Sequence, residues 1–303
     1  MTELSQKILA EYQVRKTKAQ KQAFIELMQA HFPELQIQEG GFPKCRNLII
    51  GDVENATLLL TAHYDTCARL PFPNFITPKA PLLSILYSFL LALPVVLVVF
   101  GVNFLLSFFP IIFELRYFIS LVVSFGLLSL MFIGPANKHT ANDNTSGVIV
   151  LCELLKLLSR KERSKVAFVF FDHEESGLLG SGYFRSKYKN VSANTPMINF
   201  DCVSDGDYIL VAATKAALQD IGDKLDAAFQ PKKEKTILQC KAEKIYYPSD
   251  QMGFRKGVAI AALKKKPLIG YYMDRIHTAR DTEFDRRNIR LLCDSILRLL
   301  KSM

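Results

Sequence analysis

The stretch VAFVFFDHEESG, residues 166–177, places four ionisable side chains directly after an apolar run. The run VAFVFF is rich in aromatic and β-branched residues and shows no polar alternation, which predicts a strand buried on both faces. The side chains from Asp172 to Glu175 come where this strand would end. Because adjacent glutamates repel each other and are costly to desolvate, the segment indicates a bound cation.

The rest of the chain repeats an alternation of apolar strands and helices. A basic helix is predicted over residues 3–30, and helix-like periodicity is also found in SGVIVLCELLKLLSR, KAALQDIGDKLDAAF and DRRNIRLLCDSILRLLKSM. The other strand-like runs are NLII, TLLLTA, PMINFDC, YILVAA, VAIAAL and PLIGYY. This pattern predicts an α/β fold with a mostly parallel central sheet and helices on both faces. Such folds bind ligands at the carboxyl ends of their strands.

Residues 81–134 break this pattern, because Glu114 and Arg116 are their only charged residues. The stretches LLSILYSFLLALPVVLVVF and YFISLVVSFGLLSLMFIG have close to the roughly 20 residues that a membrane helix needs. Neither stretch shows the polar stripe of a soluble core helix. We therefore expect an inserted transmembrane helical hairpin at 81–134, which divides one soluble domain into residues 1–80 and residues 135–303.

Charge and cysteine usage bear on location and partners. The net charge is +9, but the lysines are scattered between apolar runs, which is typical of a solvated surface and predicts no nucleic-acid partner. The six cysteines form no CxxC pair, which suits reduced thiols in the cytosol. No secretory signal peptide opens the sequence. Since the hairpin's far turn is neutral and its flanks are basic, the positive-inside rule predicts an integral membrane protein with its soluble part on the cytosolic side.

Potential metal ligands follow several predicted strands. HYD follows TLLLTA, NFD lies in PMINFDC, IHT follows PLIGYYMDR, and ANDNTSG precedes a helix. Imidazoles and carboxylates together, without a thiolate pattern, suit zinc in a catalytic site. We expect His31, His139 and His173 to be structural. GLLGSG lacks the glycine order of a dinucleotide-binding turn, and no GxSxG motif supports a serine hydrolase.

The fragments HYD, DNTSG, EESGLLGS, NFD, SDQ and IHT, in this order, resemble the two-zinc aminopeptidases of the bacterial leucyl aminopeptidase type. Relatives of that family include glutamate carboxypeptidase, glutaminyl cyclase and the transferrin receptor. The resemblance covers about residues 45–70 and 138–285. It implies a zinc metallopeptidase that cleaves peptide substrates with water activated between two zinc ions. The soluble domain would then be catalytic and anchored to the lipid bilayer through residues 81–134.

The resemblance also implies a role for individual residues. Asp143 would bridge both zinc ions, and Asp65 would orient His63 from behind. Glu174 would act as the general base, and a tyrosine before the SD pair would help to hold the oxyanion, which points to Tyr246, with Tyr247 as a weaker candidate. The zinc ligands would be His63, Asp143, Glu175, Asp201 and His277. If the glutamate doublet is extended, Glu174 and Glu175 point in opposite directions, one as base and one as ligand.

Several departures from the family pattern leave alternatives open. TAND replaces the usual GADD, and SDQ replaces SDH, which leaves Gln251 without a known role. Arg275 and Arg280 are positioned to receive a substrate carboxylate or to form ion pairs with Asp281 or Glu283. The resemblance also admits a glutaminyl cyclase-like enzyme with a single zinc ion, and a non-catalytic membrane scaffold on the same fold.

Overall fold

The computed structural model describes the whole chain, except that the side chains of residues 130–132 are not described. Within the described chain, nine strands form one sheet in the order β1-β2-β4-β3-β5-β8-β6-β7, and β9 pairs with β8. The strands are β1 Gln36–Gly40, β2 Cys45–Ile50, β3 Leu58–His63, β4 Val166–Phe171, β5 Met197–Phe200, β6 Tyr208–Ala213, β7 Thr236–Lys241, β8 Gly257–Lys266 and β9 Gly270–Tyr272.

The sheet is parallel at its centre and mixed toward its edges. β3 runs parallel to β4 and β5, and β5 runs parallel to β8. The pairs β1–β2, β2–β4, β6–β8 and β8–β9 are antiparallel, and β6–β7 is again parallel. The expectation of a mostly parallel sheet is therefore correct only for the centre. An apolar run indicates that both faces of a strand are covered, but it carries no information about the direction of the neighbouring strands.

Helices cover both faces of the sheet, as expected. One face packs against α1, α2, α5, α9 and α10, and the opposite face of β2 to β5 packs against α7 and α8. Alternate residues of β3 divide between the two layers, since Leu58 and Leu60 face the first and Leu59 faces the second. The helices are α1 Glu3–Glu11, α2 Lys18–His31, α3 Pro81–Leu106, α4 Phe113–Ile133, α5 Gly147–Leu157, α6 Arg160–Arg163, α7 Leu179–Lys187, α8 Lys189–Asn194, α9 Lys215–Ala228 and α10 Arg286–Ser302.

The single helix predicted for residues 3–30 is wrong, because the chain forms α1 and α2 with a non-helical linker at residues 12–17. Thr17 begins α2 with a capping box. Its side chain accepts a hydrogen bond from the Gln20 N–H at 3.2 Å, and the Gln20 side chain accepts one from the Thr17 N–H at 2.9 Å. A strong cap of this kind starts a new helix within a sequence of otherwise good helix formers.

The insertion folds as two helices, α3 and α4, whose described side chains are mostly exposed. No residue of α3 is buried. The Asn103 side chain donates a hydrogen bond to the hydroxyl of Ser120, which joins the two helices. Within the part of the chain whose side chains are described, α3 is the one helix long and apolar enough to cross a membrane, by length and composition only.

Candidate metal centre

Three neighbouring parallel strands deliver potential ligands to one edge of the sheet. β3 ends at His63, β4 ends just before the segment that carries Glu174 and Glu175, and β5 ends just before Asp201. Because β3 lies between β4 and β5, these side chains meet at the middle of the sheet. Two further loops complete the site, the turn that precedes α5 and the loop that follows β9.

Asp143 lies between the two imidazoles. Its Oδ1 is 3.4 Å from Nε2 of His63, and its Oδ2 is 3.1 Å from Nε2 of His277. On the outer sides, Asp201 Oδ1 lies 3.5 Å from His63 Nε2, and Glu175 Oε2 lies 3.2 Å from His277 Nε2. The structure thus brings together all five predicted ligands, with one oxygen of Asp143 directed to each half of the site.

Asp65 contacts both His63 and the glutamate doublet. The backbone carbonyl of Asp65 accepts a hydrogen bond from Nδ1 of His63 at 3.1 Å, which leaves Nε2 of that ring facing the carboxylates. The Asp65 carboxylate accepts hydrogen bonds from the backbone N–H groups of Glu174 at 3.0 Å and Glu175 at 3.2 Å. Asp65 therefore orients the imidazole through its carbonyl and holds the doublet through its side chain.

The glutamate doublet lies in a turn, so the prediction that it is extended is wrong. The carbonyl of Glu174 accepts hydrogen bonds from the N–H groups of Gly177 and Leu178, both at 2.9 Å. His173, just before the doublet, has a positive φ of 56°. Both carboxylates face the cluster, Glu174 beside His63 and Asp201, and Glu175 beside His277.

The turn that carries Asp143, residues 141–146, is held by two side chains whose role the sequence did not indicate. The carboxylate of Asp281 accepts hydrogen bonds from the N–H groups of Asn142 at 2.8 Å and Asp143 at 3.0 Å. The side chain of Asn144 accepts one from the Cys202 N–H at 3.3 Å and donates one to the Phe200 carbonyl at 2.8 Å. These bonds tie the Asp143 turn to the segments that carry His277 and Asp201.

Burial and crowding shift the pKa values of the cluster in opposite directions. Burial raises the pKa of Glu174 well above its usual range and that of Glu175 to about 8, and the nearby imidazoles offset this only in part. Burial opposes the charging of His277, but Glu175 and Asp143 raise its pKa to about 9. Burial likewise disfavours the charged form of Asp143, yet its contacts with both imidazoles keep its pKa well below the usual value. In the absence of a cation, the site thus retains protons at neutral pH.

The donor set fits a divalent metal such as zinc. Oε1 of Glu175 is buried without a hydrogen-bond partner, and an unpaired buried carboxylate oxygen is costly unless a cation binds it. Ligand atoms of His63, Asp143 and Glu175 lie within 4.8 Å of one another, as do those of His63, Glu174 and Asp201. Two thiols that the sequence pattern did not flag, Cys67 and Cys202, also lie beside these donors.

Tyr246 and Tyr247, the two tyrosines expected near the oxyanion, differ in their surroundings. The side chain of Tyr246 is 52% exposed, and its backbone N–H donates to the carbonyl of Pro78 at 3.0 Å. Tyr247 is buried, and its hydroxyl donates to the carbonyl of Asp201 at 3.1 Å. Among the described contacts, Tyr247 is therefore the tyrosine that reaches the backbone of a predicted ligand.

The remaining flagged residues have structural contacts. Nε2 of the Gln251 side chain donates to the carbonyl of Tyr247 at 2.8 Å, and Arg275 forms an ion pair with Glu283 at 2.9 Å. Arg280 donates to the carbonyl of Asp274 at 2.9 Å. His173 lies 3.2 Å from the ammonium group of Lys21, which itself pairs with buried Asp172 at 2.7 Å. His173 also lines the small pocket beside Glu175 and His277, so its structural role stays a prediction.

A small pocket and the base of the insertion adjoin the cluster. The pocket has a volume of about 200 Å³ and is lined in part by Asp65, Glu175 and His277. The N–H of Leu70, on the segment that leads to α3, donates to the carbonyl of His277 at 2.8 Å. The returning segment pairs beside it, since the Arg69 N–H donates to the Pro135 carbonyl at 2.8 Å. The insertion therefore emerges next to the candidate ligands, as its place in the sequence predicts.

The fold and the donor set together are those of an α/β protein with a carboxylate–imidazole metal centre at the carboxyl ends of its parallel strands. The model of peptidase family M28 matches residues 126–297, more than half of the chain. The chain belongs to peptidase family M28.

Individual relatives share less of the sequence. A probable zinc metalloprotease of Pyrenophora tritici-repentis is 42% identical over 67 residues, which are 22% of this chain and 15% of that protein. The matched segment thus spans only a small part of that relative. A similar protein of Pyrenophora teres f. teres is 40% identical over 67 residues, which are 22% of this chain and 14% of that protein.

Solved structures share the fold across nearly the whole chain. Glutaminyl cyclase of Porphyromonas gingivalis superposes with a TM-score of 0.60 at 16% identity, covering 99% of this chain and 96% of that one. The aminopeptidase LapA of Legionella pneumophila superposes with a TM-score of 0.56 at 13% identity, covering 98% of this chain and 67% of that one. At these identities the likeness shows the fold alone.

Proposed function

We propose that this protein is a membrane-anchored, zinc-dependent peptidase, most simply an aminopeptidase that uses two zinc ions and a glutamate general base. The observation that carries the proposal is the position of Asp143, which directs one carboxylate oxygen to each of two imidazoles. A bridging carboxylate of this kind supports a centre with two ions. Membership of a peptidase family supports peptide hydrolysis as the reaction.

The proposed ligands divide into two overlapping sets. Asp143, Glu175 and His277 would hold one ion, and Asp143, His63 and Asp201 would hold the other. When bound, zinc would supply the Lewis acidity that activates water and polarises the scissile carbonyl.

Glu174 is the proposed acid–base residue. Its carboxylate lies beside the His63 and Asp201 donors, where it would take a proton from the attacking water and pass it to the leaving amine. Asp65 holds the backbone of Glu174 and the ring of His63, so it would fix the position of the base relative to that of the ligand. We retain Tyr246 as the candidate oxyanion donor that the family resemblance implies, and Tyr247 is the alternative that its contact with the Asp201 carbonyl supports.

The small pocket suggests the substrate class. Ligand sites for drug-sized molecules have volumes of roughly 300–1,000 Å³, and the pocket beside Glu175 and His277 has about 200 Å³. This size supports short peptides as substrates, with one side chain in the pocket. The aminopeptidase LapA of Legionella pneumophila, which shares this fold, agrees with that choice.

The insertion is the proposed membrane anchor. We infer that residues 81–134 form a transmembrane hairpin between the two parts of the catalytic domain, residues 1–80 and 135–303. The hydropathy of α3 and the exposure of both helices support this inference. Lys79 and Lys138 flank the insertion, and the positive-inside rule then assigns the catalytic domain to the cytosolic side.

Metal content and a substrate panel test the proposal together. We expect two zinc ions per chain by elemental analysis of protein never exposed to chelator, and hydrolysis of aminoacyl and dipeptide substrates by the zinc-loaded protein. A single firmly bound zinc with cyclisation of amino-terminal glutamine would instead identify a glutaminyl cyclase-like enzyme. Tight metal binding without turnover of either substrate class would identify a scaffold, and the absence of bound metal would contradict the proposal entirely.

A further inference from the structure

The linker at residues 12–17, between α1 and α2, carries a fully buried arginine behind the metal cluster. Arg15 has no exposed surface, and its guanidinium lies over the ring of Phe24 at 5.3 Å from the ring centroid. Burying a charge is costly unless hydrogen bonds or opposite charges compensate it. In the described structure no ion pair joins Arg15 to a carboxylate. Its hydrogen bonds and more distant charges therefore have to compensate the cost of burying the guanidinium.

Those hydrogen bonds connect two segments that carry predicted ligands. Nε of Arg15 donates to the carbonyl of Tyr64, which lies between His63 and Asp65 in the chain. Nη1 of Arg15 donates to the hydroxyl of Thr145 at 3.1 Å, two residues after Asp143.

Arg15 is also held in place by its own surroundings. Its backbone N–H donates to the hydroxyl of Thr66 at 3.0 Å, and Nη1 also donates to the carbonyl of Tyr12. Phe24, which lies below the guanidinium, stacks on Tyr64 at a centroid distance of 5.5 Å. The guanidinium is thus fixed relative to α2 and to the end of β3.

The nearest charges on the cluster side are those of Asp65 and Asp143. Both carboxylates favour the charged form of Arg15, although burial lowers its pKa to about 10. At neutral pH the arginine is therefore a permanent cation behind a group of carboxylates.

We propose that Arg15 is a positioning residue that clamps the His63 segment to the Asp143 turn and so sets the spacing between these two ligands. The inference rests on the proposed metal site, but it concerns a residue that the family motifs do not include. A lysine at this position would keep the charge, but it lacks the planar fork that donates in two directions at once. The clamp therefore requires the guanidinium itself.

Metal affinity tests the clamp without any peptide substrate. The variants are Arg15→Met, Arg15→Lys and Thr145→Val. The last removes the second contact of the clamp together with the 3.3 Å contact between the hydroxyls of Thr145 and Thr140. The control is Arg298→Met, because Arg298 likewise donates to a backbone carbonyl, that of Ala228 at 2.9 Å, but joins α9 to α10. Zinc and cobalt affinities are measured by competition with a chelator, and the melting temperature of each metal-free variant is recorded.

We expect Arg15→Met to lower metal affinity by roughly 10- to 100-fold, the range typical of residues that support metal ligands. Arg15→Lys and Thr145→Val should each cause a smaller decrease in metal affinity than Arg15→Met. Both should alter the visible spectrum of the cobalt-loaded protein. Arg298→Met should lower the melting temperature while keeping the wild-type affinity and spectrum.

The outcomes separate the clamp from the proposed function. If the wild type binds metal and the Arg15 and Thr145 variants bind it equally well, or if Arg298→Met loses as much affinity, the clamp is overturned and the metal site stands. If the wild type binds no metal, the proposed function itself fails. Should Arg15→Met not fold, Arg15→Lys and Thr145→Val decide by the same criteria.

Discussion

Glu174 and Glu175 are adjacent, yet each faces a different imidazole, and both N–H groups donate to the same carboxylate of Asp65. The backbone of the doublet is thus held as one unit, while Glu174 lies beside His63 and Asp201, and Glu175 lies beside His277 and Asp143 and within reach of His63. This arrangement allows one carboxylate to bind a metal ion and the other to transfer protons at the same centre. The turn around the doublet, rather than an extended backbone, makes this possible.

Exchanging each glutamate for glutamine distinguishes the two roles. We expect Glu174→Gln to keep two zinc ions but to lower peptide hydrolysis by roughly 10²- to 10⁴-fold, the usual contribution of general-base catalysis. Glu175→Gln should instead loosen one zinc ion, because it removes a charged ligand. Steady-state kinetics and elemental analysis of the two variants check this. Equal metal content and equal rates would show that the roles are assigned wrongly.

Asp281 supports the Asp143 turn from outside the predicted ligand set. Its carboxylate accepts from two successive N–H groups, and an asparagine side chain has only one oxygen to do so. We expect Asp281→Asn to lower metal affinity by roughly 10- to 100-fold while all five ligands remain. Chelator competition measures this, with Asp294→Asn on α10 as the control, since Asp294 pairs with Lys232 at the surface. An affinity equal to that of the control would contradict the role.

His63, Glu175 and Asp201 lie shortly after apolar strand-like runs, which is a local signal, whereas Asp143 and His277 were picked out by the order of fragments that resembles the zinc aminopeptidases. No sequence signal indicated the roles of Asp281, Asn144 and Arg15. These residues act through hydrogen bonds to partners that are 139, 58 and 130 positions away in the chain. No short pattern marks a side chain whose partner is a distant backbone group or hydroxyl. The sequence therefore predicted the candidate donors that the structure brings together, and it missed the residues that hold their segments in place.

Among the secondary-structure elements, strongly apolar strands and the helices α5, α9 and α10 were predicted well, whereas short or polar elements were missed. β1, QIQEG, is polar and has no buried residue, and β7, TILQCK, buries only Leu238; both strands pair at the edges of the sheet. Their strand state depends more on backbone pairing with a neighbour than on burial of their own side chains. The break between α1 and α2 was missed because the capping signal lies within a run of good helix formers.

The proposed transmembrane hairpin predicts which sites of the chain can be labelled from outside the cell. In a background with Cys240 replaced, the native cysteine that is not buried, a cysteine at Phe113, the first residue of α4, should react with a membrane-impermeant reagent in sealed cells. A cysteine at exposed Ala19 on α2 should react only after lysis. Labelling of both sites from outside would contradict the cytosolic assignment. Release of the chain by carbonate extraction would contradict the anchor while leaving the metal chemistry untouched.

For the whole molecule, the raised pKa values predict that the metal-free protein loses stability as pH rises. Glu175 has a pKa of about 8, and Asp250, the buried aspartate of the SDQ fragment, has one of about 7; both lie above their unfolded values of roughly 4. His277 has a pKa of about 9. Each group binds more protons in the folded state, so its contribution is lost as pH rises through its folded pKa. The lowered pKa of Asp143 acts in the opposite sense, but only below about pH 4.

The measurement is the melting temperature with and without zinc. We expect that of the metal-free protein to fall from pH 6 to pH 9, and the increase caused by zinc to be larger at pH 8 than at pH 6, because the ligands bind metal in their deprotonated forms. Glu175→Gln, which cannot deprotonate, should show a shallower fall without zinc. A metal-free melting temperature that is constant or rises over this range would contradict the assignment.

The insertion also affects when the central strands can pair during translation. β3 lies at the centre of the sheet, but both of its neighbours, β4 and β5, begin after the insertion, at Val166 and Met197. During translation, β3 therefore emerges with both edges unpaired, followed at once by two apolar helices, and unpaired strand edges invite aggregation. His63 meets Asp143, Glu175 and Asp201 only after most of the polypeptide has left the ribosome. Acquisition of zinc at the proposed site would thus mark a late step of biosynthesis rather than an early folding step.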